Sequence, residues 1–169
     1  MFAMEPKIHK LKSESGFTLV ELYIVMAIMV ALFLATYLIL NPYTLKQRTR
    51  DDKRLSDVNI LDRAINEYFI DTATYPDIVN TLRKSNVVPV GSIGPVENAT
   101  TGWINQNLSS YMVKLPVDPI NDSTYYYSYK KSTNGYEIDV KLEYYTAYSL
   151  NDGGNDSNLF ETGTDLTIM

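Results

Sequence analysis

The sequence predicts an α+β fold: a long N-terminal helix, its first half membrane-spanning and its second amphipathic, packed on a small antiparallel β-sheet. Three stretches carry that expectation. Residues 22–40 are apolar except for Tyr23, Thr36 and Tyr37. At a helical rise of about 1.5 Å per residue, roughly 20 residues cross the ~30 Å hydrocarbon core of a bilayer. Beyond Pro42, the residues Leu55, Val58, Leu61, Ile65, Tyr68 and Phe69 recur at helical steps, with Asp57, Asp62, Arg63 and Glu67 between them. Such a stripe needs a covering layer. Finally, the run Tyr136-Glu137-Ile138-Asp139-Val140-Lys141-Leu142-Glu143 alternates apolar and charged residues, the pattern of a half-buried strand.

The elements follow in order. A short leader sets Lys7, His9, Lys10 and Lys12 against Glu5 and Glu14. Gly16-Phe17-Thr18-Leu19-Val20-Glu21-Leu22 then opens the apolar run, and Glu21 is its lone carboxylate, with no other charge until Lys46. An ionisable group in a membrane-length helix is costly and reads as functional. The apolar run exceeds the ~7–15 residues of a secretory signal. Ala27, Ala31 and Ala35 mark one slim face suited to close helix approach. Lysines precede the helix, but Lys46, Arg48, Arg50, Lys53 and Arg54 follow it, so the positive-inside rule does not fix the orientation. The block from Arg48 to Arg54 suits either anionic headgroups or a solvated face with local ion pairs. Asn41-Pro42 predicts a break, because proline removes a helical donor and restricts the residue before it. Between Thr81 and Leu115 the glycines, Pro95 and asparagines predict irregular connections. Tyr125 to Lys130 reads as a strand joined through an Asn134-Gly135 tight turn to the alternating run.

The opening motif resembles the prepilin-type leader of type IV pilins and type II secretion pseudopilins. Its glycine, aromatic, β-branched, apolar and acidic positions stand together at the mouth of an apolar helix. The stalk string Leu61 to Phe69, the Tyr75-Pro76 turn and the Leu115-Pro116-Val117-Asp118-Pro119 stretch ahead of the hairpin are also similar to that family. Many members kink the membrane helix near the position of Leu38, whereas here the proline comes at Pro42. The resemblance implies a pilin-like fold with a leader at 1–16, a transmembrane or filament-core helix at 17–41, an amphipathic stalk at 42–72 and a globular head at 73–169. It implies cleavage between Gly16 and Phe17 by a prepilin peptidase, N-methylation of Phe17, and assembly through Glu21. Expected partners are the membrane, an assembly platform protein and other copies or related subunits in a helical filament. The precursor would be a single-pass protein of the cytoplasmic membrane, and the mature subunit part of an extracytoplasmic filament. A type IV pilus subunit and a major pseudopilin of type II secretion both fit; a membrane-anchored extracytoplasmic enzyme or binding domain is the remote alternative.

Composition narrows the chemistry. The 169 residues contain no cysteine, and the single histidine, His9, lies in the leader, so thiolate chemistry is excluded and histidine chemistry is not expected after processing. Neither catalytic residues nor an organic cofactor are expected. A net charge of −5 argues against general nucleic-acid binding. Fourteen tyrosines against five phenylalanines suit surfaces that are apolar but partly wet. Four tripeptides, beginning at Asn98, Asn107, Asn121 and Asn155, match the N-glycosylation pattern. The loop Asn151-Asp152-Gly153-Gly154-Asn155-Asp156 leaves two readings open: a structural calcium near Asp152, Asn155 and Asp156, or ordinary turn chemistry.

Overall fold

The computed structural model describes residues 16–169; the basic leader lies outside them. The chain divides into two compact units that meet between Pro42 and Tyr43. In the first, helix α1 (Leu19–Leu40) is long and apolar enough to cross a membrane over Leu19–Ile39. It ends where Asn41 adopts φ 36° and ψ 82°, a left-handed cap that asparagine tolerates. Helix α2 (Pro42–Thr72) restarts at once on Pro42, the first-turn position where a missing N–H costs nothing. The expected break is therefore present, one residue wide.

The second unit is α+β and pilin-like. Strands β1 (Arg83–Lys84), β2 (Tyr127–Lys131), β3 (Tyr136–Val140) and β4 (Phe160–Gly163) form one antiparallel sheet in the order β1-β2-β3-β4. The stripe of α2 covers it: Val58, Leu61, Ala64 and Ile65 are buried in one core with Tyr127, Tyr129, Tyr136, Ile138 and Val140. Tyrosine does here what phenylalanine could not, because each buried ring ends on a polar partner. Tyr127 Oη donates to Asp57 at 2.9 Å and Tyr136 Oη to Asp62 at 2.6 Å, both on α2, while Tyr129 Oη reaches the Pro76 carbonyl at 2.8 Å. The Tyr-Pro turn is fixed from several sides: Tyr75 stacks on Phe69 at 4.4 Å, and Lys131 Nζ donates to its carbonyl at 2.6 Å.

Apart from the short strand β1, residues 81–115 are irregular, as expected, yet they complete the core instead of skirting it. Trp103, Ile104 and Leu108 are fully buried, and Trp103 Nε1 donates to the Pro116 carbonyl at 2.9 Å. Gly102 allows this fold-over, since a Cβ there would lie 2.2 Å from the Val96 carbonyl oxygen.

Two expectations need correction. Asn134-Gly135 is not a positive-φ tight turn: neither residue is among those with positive φ. The connection instead spans Ser132 to Gly135, closed by Ser132 N–H on the Gly135 carbonyl at 2.8 Å and by Gly135 N–H on Ser132 Oγ at 3.0 Å. Glycine is needed at 135 for space, because a Cβ would meet Asp165 Cβ at 2.8 Å. Nor is β3 half-buried; all five of its residues are buried. Its charged face is covered by the C-terminal segment, where Ile168 and Met169 N–H groups donate to Glu137 Oε2 at 2.9 and 2.8 Å.

Candidate functional site

The residues singled out at the head of the apolar run sit together at the start of α1. Gly16 and Phe17 are exposed ahead of the helix, and Thr18, in extended backbone, is its N-cap. Glu21 N–H donates to Thr18 Oγ1 at 3.1 Å, while Thr18 N–H and Oγ1 donate to Glu21 Oε2 at 3.1 and 3.0 Å. This reciprocal capping box satisfies donors that the first helical turn leaves without partners. It also puts a carboxylate at the positive end of the helix dipole, where an anion is favoured. Among the described residues none buries the apolar window Leu19–Ile39; Phe17 is 81% and Leu19 83% exposed. Apolar surface of this extent is matched to lipid or to other helices, not to water.

A second cluster, which sequence reasoning missed, lies where α2 meets the end of the sheet. Arg54 is fully buried. Its Nε and Nη2 fork onto Asp118 at 2.5 and 3.1 Å, and its Nη1 donates to Asp51 at 2.8 Å and Glu143 at 2.6 Å. Tyr125 lies against the guanidinium, 4.7 Å from ring centroid to Cζ. Asp51 in turn accepts the N–H groups of Glu143, Tyr144 and Tyr145 at 2.6–3.0 Å, and Arg50 pairs with Glu143. Burial alone would raise the Asp51 carboxyl, but three backbone donors and Arg54 hold it below its ordinary value. Arg50 and Arg54 likewise hold Glu143 down against its burial. The network thus ties the third and fourth turns of α2 to the Leu-Pro-x-Asp-Pro stretch and to the segment after β3. Within the basic block, Lys53 makes the expected local pair with Asp57, whereas Arg50 and the buried Arg54 pair across the fold with Glu143 and Asp118 instead of lining a solvated face, and Arg48 rests on the Tyr144 ring. The signal was present: Asp51, Arg54, Val58, Leu61 and Ile65 fall on one helical face, so the apolar stripe continues as a charged one.

The third cluster occupies the far face of the sheet. Asp139 is directly opposite Glu161 in the β3–β4 register, and Glu137 lies two residues along on the same side. All three are buried. Burial, with the Glu137 and Glu161 carboxylates beside it, pushes the Asp139 carboxyl up to about 8; burial likewise raises Glu137.

The loop residues expected near a calcium lie just outside this face. Asp152 Oδ1 accepts from Gly154 N–H and its Oδ2 from Glu161 N–H, each at 2.9 Å. Asp156 Oδ1 accepts from Asn158 N–H and Nδ2 at 2.9 Å, and Asn155 Nδ2 reaches the Met169 carbonyl at 3.2 Å.

Compared with known proteins, residues 11–37 match the family model for the prokaryotic N-terminal methylation motif. Neither a curated protein nor a solved structure matches the chain. The motif implies processing by a prepilin peptidase and assembly with other pilin subunits, and it belongs to structural proteins. The match coincides with the capped, carboxylate-bearing apolar helix. Over residues 11–37, therefore, the chain carries the prepilin-type cleavage and methylation signature of type IV pilin-like proteins.

Proposed function

We propose that the protein is a structural subunit of a type IV pilus or a closely related filament, not an enzyme. The observation that carries this reading is α1 itself: an apolar helix that the described residues leave uncovered, bearing one carboxylate at its capped start within the methylation motif. In this reading residues 1–16 are removed and Phe17 is methylated. Residues 17–41 pack with neighbouring copies into the filament core, residues 42–72 form the stalk, and residues 73–169 form the head on the outer surface. The membrane holds the precursor, an assembly platform protein extracts it, and the filament lies beyond the cytoplasmic membrane. Glu21 pairs with the amino terminus of Phe17 on a neighbouring subunit. A carboxylate in apolar surroundings is expensive without a partner charge, so this pairing selects one axial register.

The major pseudopilin reading shares every one of these steps. The Leu-Pro-x-Asp-Pro stretch favours it, and Asp118 of that stretch is the forked partner of Arg54. Electron microscopy of cells with and without the gene separates the two. Long surface fibres that vanish on deletion are expected for a pilus subunit. Absence of fibres together with a secretion defect would replace that reading with the pseudopilin one, and an unchanged surface with unchanged secretion would contradict both.

A further inference from the structure

We propose that Glu137, Asp139 and Glu161 form a buried binding site for a hard divalent cation, calcium foremost. Sheet register alone makes this arrangement unusual. Asp139 and Glu161 are cross-strand partners, and like charges directly opposite one another destabilise a sheet. Each of the three residues can bring a carboxylate oxygen to within 4.8 Å of the others. Among the described residues, no lysine or arginine pairs with any of them; Lys130, across from Glu137, spends its ammonium on the Ile168 carbonyl at 2.5 Å.

The independent observation is that each carboxylate keeps a buried oxygen without a partner. Glu137 holds two backbone N–H groups through Oε2, Glu161 holds the Asp156 N–H through Oε1 at 2.9 Å, and Ser128 stands directly across from Asp139 in the β2–β3 register. The remaining oxygens, Glu137 Oε1, Asp139 Oδ1 and Glu161 Oε2, are buried without a hydrogen-bond partner. A buried polar atom left without a partner is costly, and three in one cluster require an explanation. Donors that anchor one oxygen of a carboxylate while leaving the other open, as at Glu137 and Glu161, are what orient ligands around a metal. Calcium binds oxygens at about 2.3–2.6 Å, so ligands on opposite sides of it stand up to roughly 5 Å apart. The separation here fits within that span. An all-oxygen donor set also selects hard cations over soft ones.

The Asn151–Asp156 loop acts as the cover of this site. Gly154 lies so close over Glu161 that a Cβ would sit 1.2 Å from Oε2, and Asp152 Oδ2 accepts from Glu161 N–H. The calcium expected near the loop thus belongs beneath it, on strand carboxylates.

The test uses full-length protein in detergent, stripped with chelator, with unfolding followed by fluorescence of the single, buried Trp103. Calcium at a hundredfold excess over its Kd is expected to raise the melting temperature by about 5–15 °C. Asp139→Asn should abolish that increment while matching or exceeding the parent's metal-free melting temperature, because the amide relieves the repulsion. Glu161→Gln should lose calcium heat in titration calorimetry even if its stability falls for other reasons. Asp156→Asn, in the loop, should retain the response. A melting temperature indifferent to calcium and chelator would overturn the site. So would a calcium increment that survives Asp139→Asn or Glu161→Gln, or one lost only in Asp156→Asn. An equal response to magnesium would overturn the assignment to calcium.

Discussion

Replacing Arg54 with methionine is expected to destabilise the globular unit by about 3–5 kcal/mol, the range found when one partner of a buried ion network is removed. The guanidinium is fully buried and is shared by Asp51, Asp118 and Glu143. Methionine fills the volume but leaves these carboxylates without their common cation. Asp51 keeps three backbone donors, and Glu143 keeps Arg50, so the cost falls hardest on Asp118. Arg54→Lys should recover only part of the loss, because an ammonium cannot fork onto Asp118 while also reaching Glu143. Thermal unfolding read from Trp103 checks this; a methionine variant within ~1 kcal/mol of the parent would show that the network contributes little. The same network sets an acid limit. Asp51 and Glu143 have folded-state values below their unfolded ones. Their stabilisation is therefore complete above the ordinary carboxyl range near pH 4 and is lost as pH falls through the depressed folded values. Melting temperatures measured downward from pH 6 should drop steeply below about pH 4, and less steeply in Arg54→Met.

Glu21→Ala should leave the globular unit folded, with an unchanged Trp103 melting curve, and should nearly abolish incorporation into filaments. Glu21 lies in the first compact unit and contributes nothing to the core of the second. Its loss removes two things: the capping contacts to Thr18 and the charge that would meet a neighbour's amino terminus. Capping alone is worth about 1 kcal/mol. An amine left unpaired in apolar surroundings costs about 3–5 kcal/mol, more than a hundredfold in subunit affinity. Glu21→Gln separates the effects, since glutamine can serve a capping box without a charge. Both variants should fail to assemble, as measured by filament yield in sheared-cell fractions. Normal yield from the glutamine variant would show that charge is not what sets the register.

The sequence made some of this structure plain and hid the rest for physical reasons. The membrane-length helix, the break at Asn41, the Val58–Ile65 stripe and the pairing of β2 with β3 were legible because each rests on a local period or on one special residue. Strands β1 and β4 were not, being two and four residues long, too short for alternation to show. The Arg54 network was hidden because charged residues on a helix ordinarily face water; only its alignment with the apolar face pointed inward. The burial of Glu137 and Asp139 was hidden most deeply. Alternation tells which residues share a face, but not that the C-terminal segment returns to cover the charged one.

Mass spectrometry of the mature amino terminus, on protein recovered from membranes or filaments, asks most directly whether the motif at 11–37 operates. The expected species begins at Phe17 and carries one methyl group on its α-amine, and Gly16 replaced by a bulkier residue should leave the leader attached. A mature protein that retains Met1, or one cut beyond Leu40 so that the apolar helix is lost, would contradict processing at Gly16–Phe17 and, with it, assembly through α1.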